Sequence, residues 1–243
     1  MRAPHFKVLP LSSPQRQIWF DQMLHEGVPL YNIGGYVHLP GAIDVATFRA
    51  AVQLLATRHD ALRLVLLDTT DEDGVPLQGM VDAWEFEVPL RDFSAESDPR
   101  AAAHAWMQAR FEEPYGLLGK PLWRYDLVKI SEHEYCWVMQ YHHLIVDGWA
   151  IAMINRSLAK IYSQLSETAD GEIGDQTNIL IAPSPSYTAF VTNDRQYVQS
   201  DAFERDRQYW LAQYAHGVPQ PLLPPRHRKD FTGSLVGSSV QTM

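Results

Sequence analysis

Residues 122–165 constrain the fold of this chain more than any other stretch. Leu122–Ile130 and Tyr135–Tyr141 are two apolar runs of strand composition joined by the polar turn Ser131-Glu132-His133-Glu134. They read as an antiparallel pair. The longest amphipathic helix of the chain follows almost at once. Its apolar positions Ile151, Ile154, Leu158, Ile161 and Leu165 recur at three-four-three-four spacing, which lays one stripe along one helix face. A buried strand pair followed by a one-sided helix needs a sheet with helices packed on it.

The rest of the chain agrees with that demand. Ser13 is a candidate N-cap, with Pro14 at the first helical position and Ile18, Trp19, Phe20, Met23 and Leu24 as apolar positions. Gly27 can end this helix. A strand is predicted over Ile33–Leu39, and a helix starts at Asp44 with Val45, Phe48, Val52 and Leu55 on one face. Strands are expected over Leu62–Leu67, near Leu77–Val81 and near Glu85–Leu90, with the acidic segment Asp68–Pro76 as a solvated turn. Asp98-Pro99 opens a helix running to about Glu113. The fold class is therefore α/β: a mixed β-sheet flanked by helices.

Beyond the long helix, Ser166–Asn178 is polar and reads as a surface loop. Helical segments are expected over Pro185–Gln199 and Asp201–His216. Gly217–Arg228, with prolines at 219, 221, 224 and 225, reads as an extended linker, and Ser234–Thr242 as one strand. The expected organisation is a lobe over 8–180, a helical segment and Pro-rich linker over 181–228, and the first strand of a further lobe over 229–243.

Composition narrows the function classes. Lys+Arg total 20 against 29 Asp+Glu, a formal net charge of −9. That balance lacks the basic footprint of a nucleic-acid binder or of a protein docking on anionic membranes. The single cysteine, Cys136, can form no internal disulfide and no Cys-rich zinc site. No apolar run reaches the ~20 residues that span a bilayer. These features predict a cytoplasmic protein without a nucleic-acid or membrane partner.

Chemistry concentrates in Tyr141-His142-His143-Leu144-Ile145-Val146-Asp147-Gly148-Trp149, between the second strand of the pair and the long helix. Side chains alternate faces along a strand, so His142 and His143 should point opposite ways, one inward and one toward a cavity. Asp147 can hold a backbone or a cation, and Gly148 permits close approach of chain or ligand. A metal site of His142, His143 and Asp147 is disfavoured because adjacent histidines diverge and no third convergent ligand is visible. Spacing alone leaves a His-dependent α/β enzyme or two packed core histidines.

His142 to Gly148 also resembles the HHxxxDG signature of condensation domains from nonribosomal peptide synthetases. Ser13-Pro14-Gln15-Arg16-Gln17-Ile18-Trp19 resembles the family's first motif, SxAQxRLW, with Pro14 in place of Ala. Arg58-His59-Asp60-Ala61-Leu62-Arg63 is similar to the second, RHExLRTxF, with Asp60 for Glu and Leu64 for Thr. Ser186-Tyr187-Thr188-Ala189-Phe190-Val191 looks like a degraded fourth motif, YxDYAxW. The order of motifs holds from about Leu9 to Trp210.

The resemblance implies a chloramphenicol-acetyltransferase-like lobe, the N-terminal one of two, with the active site between them and the C-terminal lobe missing. It implies amide formation: the α-amine of a carrier-bound aminoacyl acceptor attacks a carrier-bound acyl or peptidyl thioester. The 4'-phosphopantetheine arms would arrive on donor and acceptor carrier proteins, an adenylation domain would be adjacent, and the domain would bind no cofactor or metal of its own. The fragment alone would be inactive. By motif position His143 is the catalytic histidine, as base or as hydrogen-bond partner of the amine. His142 and Gly148 support it. Asp147 would pair with an arginine, Arg63 first and Arg58 second. The place of Arg63 in an apolar strand fits this, because a buried guanidinium needs a partner. Trp19 and Trp149 read as core packing. Alternatives are an epimerization domain of the same scaffold, a non-catalytic condensation-like module that recruits partners, and a free-standing trimeric acyltransferase. Substrates and stereochemical subtype are not encoded legibly.

Overall fold

The computed structural model describes residues 8–81, 86–167 and 185–217. In chain order the elements are β1 (Val8–Leu9), α1 (Ser13–Leu24), β2 (Asn32–Pro40), α2 (Val45–Arg58), a 3-10 turn (Asp60–Arg63), β3 (Leu64–Thr70), β4 (Pro76–Met80), β5 (Leu90–Asp92), α3 (Pro99–Phe111), β6 (Trp123–Ser131), β7 (Glu134–His142), α4 (Gly148–Glu167), α5 (Tyr187–Val198) and α6 (Asp201–Gln213).

The described strands form two sheets, where the sequence suggested one. A four-stranded mixed sheet runs β2-β7-β6-β5, with only β5 parallel to its neighbour. A three-stranded antiparallel sheet runs β1-β4-β3. The β6–β7 hairpin is the centre of the larger sheet, and β2 pairs along all of β7, from Asn32 opposite His142 to Pro40 opposite Glu134. Gly34 makes that approach possible: its φ is +143°, and a Cβ there would lie 2.1 Å from the Met139 carbonyl oxygen.

Period-two alternation splits the hairpin between two cores. Trp123, Tyr125, Leu127, Trp137, Met139 and Tyr141 face α2 and α4, which contribute Phe48, Val52, Leu55, Ile154, Leu158 and Ile161. Val128, Ile130, Cys136 and Val138 face α3 through Ala103 and Met107. The helices thus flank the mixed sheet on both faces. The stripe on α4 lies as its spacing predicts: Ile154, Leu158 and Ile161 are buried, with Ile151 and Leu165 packed at the margin. Asp44 and Asp98 cap α2 and α3 by accepting from the Thr47 and Ala101 N–H groups.

Several expectations shift. The cap of α1 is Ser12 rather than Ser13; its N–H donates to Gln15 Oε1 at 2.9 Å. The strand expected from Leu62 starts at Leu64, because residues 60–63 close a 3-10 turn instead. The strand expected near Glu85–Leu90 is β5 at Leu90–Asp92, held by parallel pairing to Leu127–Lys129; residues 82–85 lie outside the described residues. The turn after β3 is not simply solvated. Arg16 on α1 pairs with Asp71 at 2.7 Å and Asp73 at 2.9 Å, and Asp71 accepts from the Asp73 and Val75 N–H groups. Helix α4 runs to Glu167, and the expected loop, Pro-rich linker and terminal strand beyond it fall almost wholly outside the described residues.

The chain divides into two compact units, the first ending at Asn193 and the second beginning at Asp194, inside α5. In the second unit Tyr197 donates to Asp206 at 2.7 Å and packs edge-on against Phe203, while Trp210 stacks on Tyr214.

Candidate active site

The last residue of β7 is His142, and α4 begins at Gly148. This junction carries two adjacent imidazoles, His142 at the strand end and His143 in the five-residue turn that follows, one locked and one half-exposed. His142 is 1% exposed. Its Nδ1 accepts from the Leu144 N–H at 3.2 Å, so Nε2 carries the proton, which it donates to Gln22 Oε1 at 3.3 Å. Burial, with His143 adding a smaller effect, pulls its pKa down from 6.5 to about 4. The ring is therefore a neutral, doubly bonded strut at physiological pH.

His143 is only half-buried. Its N–H donates to the Tyr31 carbonyl at 2.9 Å and its ring meets the Tyr31 ring edge-on at 6.3 Å. Among the described residues neither ring nitrogen of His143 has a hydrogen-bond partner. The two histidines differ in burial as expected, although His143 stands in the turn beyond the strand.

Asp147 takes the backbone-holding role its position allowed, not the arginine pairing that the resemblance implied. Its carboxylate accepts from the Ala150 N–H at 2.7 Å and its carbonyl from the Ile151 N–H at 3.0 Å, so it is the N-cap of α4. Arg63 is not its partner. The guanidinium closes instead on Asp60 of its own 3-10 turn at 2.6 Å, and its Nη1 reaches the Val81 carbonyl. A carboxylate three residues away costs less chain ordering than a distant one. Arg58 lies in the last turn of α2, where a cation favours the helix dipole. Gly148 opens α4 with free space where a Cβ would stand. Trp19 packs at the margin of the core, but Trp149 is 73% exposed, contrary to its expected burial.

The motifs meet in space. Asp60 accepts from the Tyr187 N–H at 3.0 Å, and the Tyr187 hydroxyl lies 3.5 Å from Ser12 Oγ. Ser12, immediately before the first motif segment, thus joins Asp60 of the second and Tyr187 of the fourth. Beneath the loop lies a buried amide pair that sequence reasoning missed. Gln15 Nε2 donates to Gln78 Oε1 and to the Leu144 carbonyl, and Gln78 Nε2 donates to Gln15 Oε1 and the Pro10 carbonyl. Gln22 Nε2 donates to the His25 and Val28 carbonyls, which turns its oxygen toward His142. The signal was the polar character of α1 at Gln15 and Gln22, seven residues apart on one face. The second imidazole neighbour missed was Tyr115, whose ring stands edge-on to His142 at 6.0 Å and carries the Arg124 guanidinium 4.6 Å from its centroid.

Among the described residues no three His, Cys, Asp or Glu side chains converge to hold a metal, and no helix is long and apolar enough to cross a membrane.

Comparisons with known proteins bear on this geometry. The family described as Condensation domain matches residues 6–242. Isonitrile lipopeptide synthase of Streptomyces coeruleorubidus is 30% identical over 213 residues, which are 86% of this chain and 14% of that protein. Enterobactin synthase component F of Escherichia coli O157:H7 is 32% identical over 222 residues, 89% of this chain and 16% of that protein. A crystal structure of the starter condensation domain of rhizomide synthetase in complex with C8-CoA superposes with a TM-score of 0.73 at 32% identity, over 86% of this chain and 45% of that one. The chain thus spans under a fifth of these two relatives and less than half of the solved domain.

Proposed function

The chain belongs to the condensation-domain family, and on that premise we propose that it supplies the N-terminal, His143-bearing half of a domain that joins an acyl or peptidyl thioester to an aminoacyl amine. The observation that carries this reading is the splitting of two adjacent imidazoles. His142 is buried, neutral and bonded at both nitrogens, whereas His143 keeps both ring nitrogens without a partner among the described residues. That is the arrangement of one structural and one working imidazole.

A thioester carbonyl is already activated, so the demand on the protein is positioning and the handling of one proton. In the reaction the amine nitrogen forms a bond to the donor carbonyl carbon and the carbon–sulfur bond breaks. The amine gives up a proton, received or held by the His143 ring, and the departing thiolate takes one up to leave as a thiol. Bringing two tethered ends together is worth ~7–11 kcal/mol in favourable cases. A positioned base adds about 10²–10⁴-fold. The thioesters arrive on the 4'-phosphopantetheine arms of donor and acceptor carrier proteins in the cytoplasm, and an adenylation domain follows in the same assembly line. The facing wall of the site comes from a second lobe, in keeping with the 45% of the solved domain that this chain covers.

The test is product formation by the parent enzyme with loaded carriers, followed by mass spectrometry. His143→Ala is expected to lower the rate by about 10²-fold or more with the melting temperature unchanged. Undiminished amide formation in that variant would remove His143 from the reaction.

A further inference from the structure

Helix α1 buries polar side chains more deeply than apolar ones. Its buried side chains are Gln15 and Gln22, while Phe20 is 50% and Leu24 80% exposed. Burying a primary amide is costly unless every polar atom is satisfied, and leucine at either position would pack with no such demand. Both glutamines are satisfied, and where their bonds end is informative.

Seven residues place Gln15 and Gln22 on one face of α1, two turns and about 10.5 Å apart. Gln22 holds His142 through Oε1, and His142 in turn accepts from the Leu144 N–H. Gln15 holds the Leu144 carbonyl at 3.1 Å, and Gln78 pins Gln15 reciprocally at 3.0 and 2.9 Å. Both backbone groups of Leu144 are therefore captured by side chains that trace back to one helix. His143 sits between the two grips, with its own N–H on the Tyr31 carbonyl.

We infer that Gln15 and Gln22 are positioning residues for His143: one anchors the His142 ring just before it and the other the Leu144 carbonyl just after it, and together they set where its unpartnered imidazole points. This assignment rests on the role proposed for His143 only for its catalytic consequence. The mechanical claim stands on the bonds alone. Misplacing a reacting group by about 1 Å costs on the order of 10²-fold in rate, so a loosened arc would show in kcat before it showed in the fold.

The experiment uses the isotope-labelled 243-residue chain and nuclear magnetic resonance. In the unmutated chain at pH 7, imidazole nitrogen shifts are expected to show His142 as the neutral Nε2–H form; a charged ring or the Nδ1–H form would overturn the assignment without any variant being made. Gln15→Met and Gln22→Met are each expected to speed hydrogen exchange at the His143 and Leu144 amides by about tenfold or more. Exchange at the Leu127 amide, which bonds to Pro89, should stay as it is. Unchanged exchange at 143 and 144 would overturn the proposal, and so would equal loosening at 127, which marks general core support. In the parent enzyme both variants should lower kcat and leave the acceptor KM in place. Full activity of His143→Ala would sink the function and leave the exchange result standing; unaltered exchange would do the reverse.

Discussion

His142 and His143 differ because one closes strand β7 in the core while the next begins the turn and is half-exposed, and the chemistry that follows is set by what surrounds each. On the inward side His142 meets Gln22 and the Leu144 N–H in a dry environment that disfavours charge. The folded-state pKa of about 4 lies below the ordinary 6.5, so the unfolded chain binds a proton that the native one refuses. Stability from this ring is complete above pH 6.5 and is lost as pH falls toward 4, by roughly 3 kcal/mol at most. Denaturant titrations across that window should show the slope, and His142→Gln should flatten it; an unaltered slope would contradict the buried neutral ring. The sequence expected one inward and one open histidine, and their burial differs in that sense, but the difference arises where the strand ends rather than from alternation. The partner of Arg63 was not legible. Pairing it with Asp147 assumed a strand at 62–67, whereas the 3-10 turn puts Asp60 three residues away and gives the guanidinium a local carboxylate. Glutamines gripping backbone also escaped, because apolar patterning says nothing about where an amide points.

Among the elements, those whose sequence and packing agree were the readable ones. The stripe on α4 and the β6–β7 hairpin carry their own periods, and the caps at Asp44 and Asp98 follow from side chains suited to the task. Helix α1 lies where its sequence placed it, but its most deeply buried side chains are Gln15 and Gln22 rather than its apolar ones. Strand β5 was not readable, being three residues long and defined only by its parallel partner. At the junction of β7 and α4, Asp147 acts on the helix and not on an arginine. Asp147→Ala should cost about 1 kcal/mol, lowering the melting temperature by roughly 2–4 °C. Asp147→Asn or Asp147→Ser, which still accept from the Ala150 N–H, should recover most of it. A loss of several times that size, unrecovered by Asn, would point to a buried charge pair instead.

In the molecule as a whole, the mixed sheet and the helices on its two faces fix the loop that carries the half-exposed His143 imidazole. The three-stranded sheet, whose β4 supplies Gln78, and α1 brace that loop from below. The four motif segments announced the family and their order, but not that Ser12, Asp60 and Tyr187 would meet; that is a property of chain folding rather than of any segment. The central claim is that these residues hold one wall of a two-walled amide-forming site. Its most direct measurement is quenched-flow mass spectrometry of the amide product from loaded donor and acceptor carriers, comparing the 243-residue chain with its parent domain. No product above the uncatalysed background is expected from the chain, with turnover by the parent; amide formed at the parent's rate by the chain alone would remove the two-walled site.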